Sequence, residues 1–196
     1  MPPRAASRAT LAALVLAAGP LALAAPPAGR PRPVDEKAAR EQARLCERLD
    51  GDEALAACRQ ALALGIAEPR RAAVRQLLSR HLAGLERWDE LATLLRESVR
   101  LDPADADSWE RLGSALLYGL GRPAEAIAAL DQATHLAPGE ASSRLDLAVA
   151  LAAAGRPAEA VAAFAAAEAL DPAVFDSRPA AREVREAARA GRRWPQ

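Results

Sequence analysis

In 196 residues the chain carries 26 basic and 26 acidic side chains, with Lys37 the one lysine, so no strong cationic excess of the kind that nucleic-acid binding uses is expected. Apolar residues make up 51% of the chain and aromatics only 3%, an alanine- and leucine-rich composition that suits closely approaching helices rather than an aromatic core. Length decides little, because stacked helical units bury one another and need no central core.

Arg4 and Arg8 precede an uncharged run that ends in Ala22-Leu23-Ala24-Ala25 and breaks at Pro26-Pro27. A positive start, a short apolar stretch and small residues at the end read as a secretory signal peptide over residues 1–24. The alternative is a retained membrane anchor, for which the run is short of the roughly 20 residues that span a bilayer. The first cysteine is Cys46, far from the cleavage region, which argues against a lipoprotein. The expected location is outside the cytoplasm, periplasmic or secreted in a bacterium, with no stable membrane span after cleavage. The mature chain would keep 24 basic and 26 acidic side chains. Residues 25–34 hold four prolines, which fix φ and withhold backbone donors, and are expected to be an extended linker.

From Asp35 the pattern turns helical. Ala39, Ala43, Leu45 and Leu49 share one side, Asp50-Gly51-Asp52 interrupts, and Leu55, Cys58, Ala61, Leu62 and Leu64 resume. Residues 35–68 therefore read as a helical hairpin. Cys46 lies four residues before the turn and Cys58 six after it, at similar heights in an antiparallel pair. In an oxidising compartment a Cys46–Cys58 disulfide is expected, with two buried thiols as the other reading. The spacing is not that of a redox-active Cys-x-x-Cys pair.

Three longer units follow, at 69–102, 103–137 and 138–172. The first runs through Val74, Leu77, Leu78 and Leu82, turns between Gly84 and Trp88, and returns through Leu91, Leu94, Leu95 and Val99. Trp88 stands where the later units have Pro123 and Pro157, and is expected to pack over the inter-helix turn. In the second, Asp105 or Asp107 is placed to cap a helix through Trp109, Leu112, Gly113, Leu116 and Leu117. The hexapeptide Gly121-Arg122-Pro123-Ala124-Glu125-Ala126 then recurs as Gly155-Arg156-Pro157-Ala158-Glu159-Ala160, 34 residues later. Each copy places a glycine where a left-handed residue closes a helix and a proline where the next begins. Pro69, Pro103, Pro138 and Pro172 mark the same period, which is the signature of a solenoid of stacked supersecondary units. Residues 173–196 read as a capping helix through Val184, Ala187 and Ala188, with Arg182, Glu183, Arg185, Glu186 and Arg189 on a solvated face, and a basic frayed tail.

Trp109, Leu112, Gly113, Leu116, Ala126, Leu130, Ala133 and Pro138 resemble the tetratricopeptide repeat pattern of a tryptophan, a leucine-glycine pair and a large residue, then alanine, an aromatic, alanine and proline. Leu147, Ala148, Leu151, Gly155, Ala160, Phe164, Ala167 and Pro172 repeat it. Leu78, Ser79, Leu82, Leu91, Leu95, Ser98 and Pro103 follow it more loosely. One extra residue between Gly113 and Gly121 departs from the pattern and is expected to widen that turn. The resemblance covers residues 38–172 and implies an all-α, right-handed α-solenoid of about four helical hairpins with a C-terminal capping helix.

Motifs for catalysis or metal binding do not stand out: there is no phosphate loop, dinucleotide fingerprint or paired-cysteine knuckle. His81 and His135 fall in different units and read as surface residues. The resemblance thus implies a non-enzymatic protein-interaction scaffold without cofactor or metal, whose partner is a protein segment. The positions that line the concave groove in this family correspond to Gln76, Arg80, Asp107, Glu110, Ser114, Tyr118, Ser142, Leu145 and Val149. They lack the lysine and asparagine set that captures a C-terminal carboxylate. The expected ligand is a segment of another envelope or secreted protein with an apolar anchor. Self-association, or a place as accessory subunit in an envelope or cytochrome biogenesis complex, is the alternative.

Overall fold

The computed structural model describes residues 35–176 and 178–192; the signal peptide and linker read at 1–34 and the last tail residues, 193–196, fall outside them. The described residues form nine α-helices and no strand. Helix α1 (Glu36–Arg48) starts at Asp35, whose carboxylate accepts from the Ala38 amide at 3.0 Å, with Glu36 in the first turn and Arg48 in the last, as the helix dipole favours. It turns back as α2 (Gly51–Ala63), and a Cys46–Cys58 disulfide, with Cα atoms 4.9 Å apart, ties the two helices through fully buried positions. The pairs α3 (Arg70–Gly84) with α4 (Trp88–Leu101), α5 (Ala106–Ser114) with α6 (Pro123–Leu136), and α7 (Ala141–Ala153) with α8 (Pro157–Leu170) follow, and α9 (Ala180–Arg189) ends the series. Each helix packs on its partner, successive pairs are joined by α2 on α3, α4 on α5 and α6 on α7, and α9 lies against both α7 and α8. The arrangement is an all-α tetratricopeptide-like solenoid.

Helix closure explains the repeated glycine. After α7, Gly155 takes φ +77°, its amide donates to the Ala152 carbonyl at 3.0 Å, and the Arg156 amide reaches the Leu151 carbonyl at 2.9 Å. This is the left-handed closure that glycine alone adopts without steric cost. After α3 the same geometry falls on Glu86, with φ +55°, where Arg87 donates to Leu82 at 2.9 Å. After α5, Gly121 takes φ +61°, but the Arg122 amide reaches back six residues, to Leu116 at 2.8 Å, instead of five. The extra residue of this unit is therefore not a wider turn. It is absorbed one step earlier, where Ala115–Gly119 continues α5 as a turn of π-helix.

Small residues stand where backbones approach. A Cβ on Gly113 would lie 2.4 Å from Leu130, which is fully buried in α6, so the α5–α6 crossing needs glycine. A Cβ on Gly119 would lie 2.3 Å from the Trp88 ring, so Trp88 packs across the gap onto the π turn of the next unit. Ala126, Ala133, Ala160 and Ala167 are fully buried, as are Leu130 and Phe164. Burying a side chain of the latter size stabilises by about 1.5–3 kcal/mol. Pro123 and Pro157 occupy the first turns of α6 and α8, where a missing donor is harmless. In each unit an arginine pairs three residues on with a glutamate: Arg87 with Glu90 and Arg122 with Glu125 at 2.5 Å, Arg156 with Glu159 at 2.6 Å. The pairing raises the Arg87 and Arg156 pKa values and lowers those of Glu90 and Glu159. These groups are solvated, so the pairs add little stability each.

Three expectations are corrected in detail. Asp105 precedes α5 but its carboxylate accepts from the Ser108 hydroxyl, with no backbone amide capped; Asp107 pairs with Arg111 at 3.5 Å. Arg185 does not lie on a solvated face: it pairs with Glu168 at 3.0 Å and its guanidinium sits 4.4 Å from the centre of the Phe175 ring. His81 is half-buried, its Nε2 3.2 Å from the Cys46 carbonyl, so it ties α3 to α1; His135 is exposed.

Candidate functional site

Helices α3, α5 and α7 are the first helices of their pairs; α5 packs against α7, and α3 faces α5 across a cavity. On α5 and its π turn, Asp107, Glu110, Ser114 and Tyr118 recur every three or four residues and so share one face. With Ser79 and Ala83 of α3, Trp88, Arg111 and Arg178, they line an open cavity of about 360 Å³. Tyr118 is 53% exposed although it is aromatic.

Behind the ring lies a carboxylate that the sequence did not single out. Asp146, on α7, is fully buried and accepts from the Ser114 hydroxyl at 2.7 Å and from the Tyr118 hydroxyl at 2.8 Å. Arg178, in the segment before α9, completes its surroundings as an ion-pair partner and lies 5.7 Å from the Tyr118 ring centre. A buried charge is tolerated only when paired and hydrogen-bonded, and these three contacts supply both. The Tyr118 hydroxyl is pushed above its ordinary pKa because burial disfavours the phenolate, an effect that the Arg178 charge partly offsets.

The remaining groove positions divide. Gln76 lines a separate cavity of about 420 Å³ with Glu68, Arg71, Arg75 and Arg111, between α3, α4 and α5. Arg80 is exposed. Ser142 is half-buried with its hydroxyl 3.4 Å from Glu140. Val149 is 9% exposed and forms part of a third cavity, of about 620 Å³, with Leu117, Tyr118, Ala153, Pro179 and Val184. Leu145 is fully buried, so the expectation that it faces the groove does not hold. Its helix is packed by α5, α6, α8 and α9, which leaves no free side at that position. One signal for Asp146 was present: an acid within Leu145-Asp146-Leu147-Ala148-Val149, an otherwise apolar run in a helix. Arg178 has no such signal, since it lies 32 residues further along in an irregular segment.

Residues 116–174 match a family model described as tetratricopeptide repeat. Among solved structures, MamA AMB-1 is 25% identical with a TM-score of 0.60, the match covering 69% of this chain and 72% of that one. The TPR2B domain of yeast Sti1, solved as a complex with pHsp70, is 23% identical with a TM-score of 0.55, over 62% of this chain and 98% of that domain. PcrH, solved in complex with the chaperone binding region of PopD, is 21% identical with a TM-score of 0.51, over 64% and 90%. No curated protein matches the chain. With the repeat residues, the stacked hairpins and the family model in agreement, residues 116–174 are similar to tetratricopeptide repeats and the chain has a tetratricopeptide-like fold.

Proposed function

We propose that this protein is an exported, non-enzymatic scaffold that holds a segment of another envelope or secreted protein in the groove formed by α3, α5 and α7. The observation that carries the reading is the open 360 Å³ cavity, where Asp107, Glu110, Ser114 and the exposed ring of Tyr118 converge. Gln76, Arg80, Ser142 and Val149 extend the binding surface on either side. Burial of apolar anchors supplies affinity and the polar groups set register, as in other groove-bound segments. Similar folds have been solved with partners, pHsp70 on Sti1 and a region of PopD on PcrH, which supports a protein segment as ligand. Export is supported by the Cys46–Cys58 bridge, which suits an oxidising compartment. Among the described residues no helix is long and apolar enough to cross a membrane.

Photocrosslinking in the native envelope tests the reading. A benzophenone amino acid placed at Gln76 or Glu110, in the groove, is expected to capture one partner that the same probe at Glu97, on the exposed side of α4, does not. Capture only from position 97 would move the site to the convex face, and capture only of a second copy would favour the self-associating alternative. Intact mass of the exported chain tests the rest: a start at Ala25 and two hydrogens fewer than the dithiol form are expected, and a retained N-terminus or free thiols would count against export.

A further inference from the structure

Two cavities on the inner face share a wall made by Tyr118 and Arg178. On one side, the larger cavity is walled by Leu117, Val149, Ala153, Pro179 and Val184, and offers an apolar side chain a place away from water. On the other, the smaller cavity is charged, and its charges cancel in pairs with one left over. Asp107 pairs with Arg111 at 3.5 Å, Arg178 pairs with the buried Asp146, and the half-buried Glu110 carboxylate has no ion pair or side-chain hydrogen bond among the described residues. A carboxylate in a cavity wall has lost part of its water, so a cation arriving there meets a stronger field than at an open surface. The same wall already holds one guanidinium: Arg178 sits against the Tyr118 ring with its charge on a carboxylate.

We propose that the bound segment carries one basic side chain, arginine in preference to lysine, that docks on Glu110 in the smaller cavity beside an apolar side chain that fills the larger one. A planar guanidinium matches a carboxylate with two donors and also stacks against an aromatic ring, which an ammonium does less well. The uncompensated charge fits a single cation, and it repels the free C-terminal carboxylate that a different groove chemistry would select. This proposal rests on the groove reading given above and specifies its ligand.

The test is selection of a displayed random short-peptide library on the whole chain, on Glu110→Gln, which keeps the side-chain shape, and on Glu97→Gln as a control outside the groove. Peptides from the unsubstituted chain and the control are expected to share a basic residue near an apolar one, and the basic preference is expected to vanish on Glu110→Gln. Replacing that arginine by citrulline in a synthetic peptide should weaken binding about tenfold on the unsubstituted chain, as expected for loss of a charge-assisted contact. It should change little on Glu110→Gln. A basic preference that survives Glu110→Gln overturns the assignment to Glu110. Peptides that crosslink to position 110 without any basic residue overturn this inference and leave the groove reading standing. Peptides that bind only elsewhere overturn the groove reading itself.

Discussion

Replacing Arg178 with alanine isolates the contact that joins the end of the chain to the inner face. Asp146 is fully buried, so in Arg178→Ala its carboxylate keeps the Ser114 and Tyr118 hydroxyls but loses its cation. Removing one partner of a fully buried pair costs about 3–5 kcal/mol. Here the arginine is one-third exposed and two donors remain, so about 2–3 kcal/mol is expected. For a folded unit of this size that lowers the thermal midpoint by roughly 5–10 °C. The loss should fall first on α9, so hydrogen exchange across Ala180–Arg189 should accelerate before the α5–α6 pair is affected. Asp146→Asn, which removes the charge and keeps the shape, should cost less in the Arg178→Ala background than alone, with a coupling above about 1 kcal/mol. Additive effects of the two substitutions, within about 0.5 kcal/mol, would refute the ion pair as the link between α7 and the C-terminal segment.

Glu86→Gly should stabilise by about 0.5–1 kcal/mol, because it puts glycine where φ is +55° and removes only an exposed side chain; a chemical-denaturation midpoint that does not rise would contradict the strained closure. Ala126→Leu or Ala160→Leu should cost roughly 1–3 kcal/mol by overfilling a crossing with no accessible space, and a neutral thermal shift would place the repeat register elsewhere. Tyr118 is the only tyrosine, so tyrosinate absorbance in the ultraviolet titrates it alone. Burial raises its folded pKa, so the folded chain keeps the phenolic proton at pH values where the unfolded chain, near pH 10, has lost it. Stability from this group is therefore present below about pH 10 and lost as pH rises through the folded pKa. Arg178→Ala should move the absorbance midpoint higher still, and a midpoint at or below that of free tyrosine would be inconsistent with the site as described.

Much of the fold was legible because it is written in local terms. The copied hexapeptide names a closing glycine, an opening proline and a small residue at a crossing, and each of these works within a few residues of itself. Gly121 and Gly155 announce their left-handed turns, whereas Glu86 does not, since nothing in a glutamate signals positive φ; only its place in the period does. The extra residue before Gly121 was visible as a count, but a count cannot say whether a turn or a helix absorbs it. The helix does so, and its π turn sets Gly119 against the Trp88 ring, a contact between units that local propensity does not reveal. The placement of the candidate residues was legible in part. Asp107, Glu110, Ser114 and Tyr118 follow from one helix face, which helical periodicity supplies. Leu145 failed because its exposure depends on four neighbouring helices, including α9, whose position the repeat pattern does not determine. Asp146 and Arg178 lie beyond reach for a related reason: their pairing exists only once the segment before α9 returns to the inner face. On the groove reading proposed above, the chain's own Arg178 already occupies the Asp146 carboxylate, so specificity there would be set partly by the segment before α9 and not by the repeats alone.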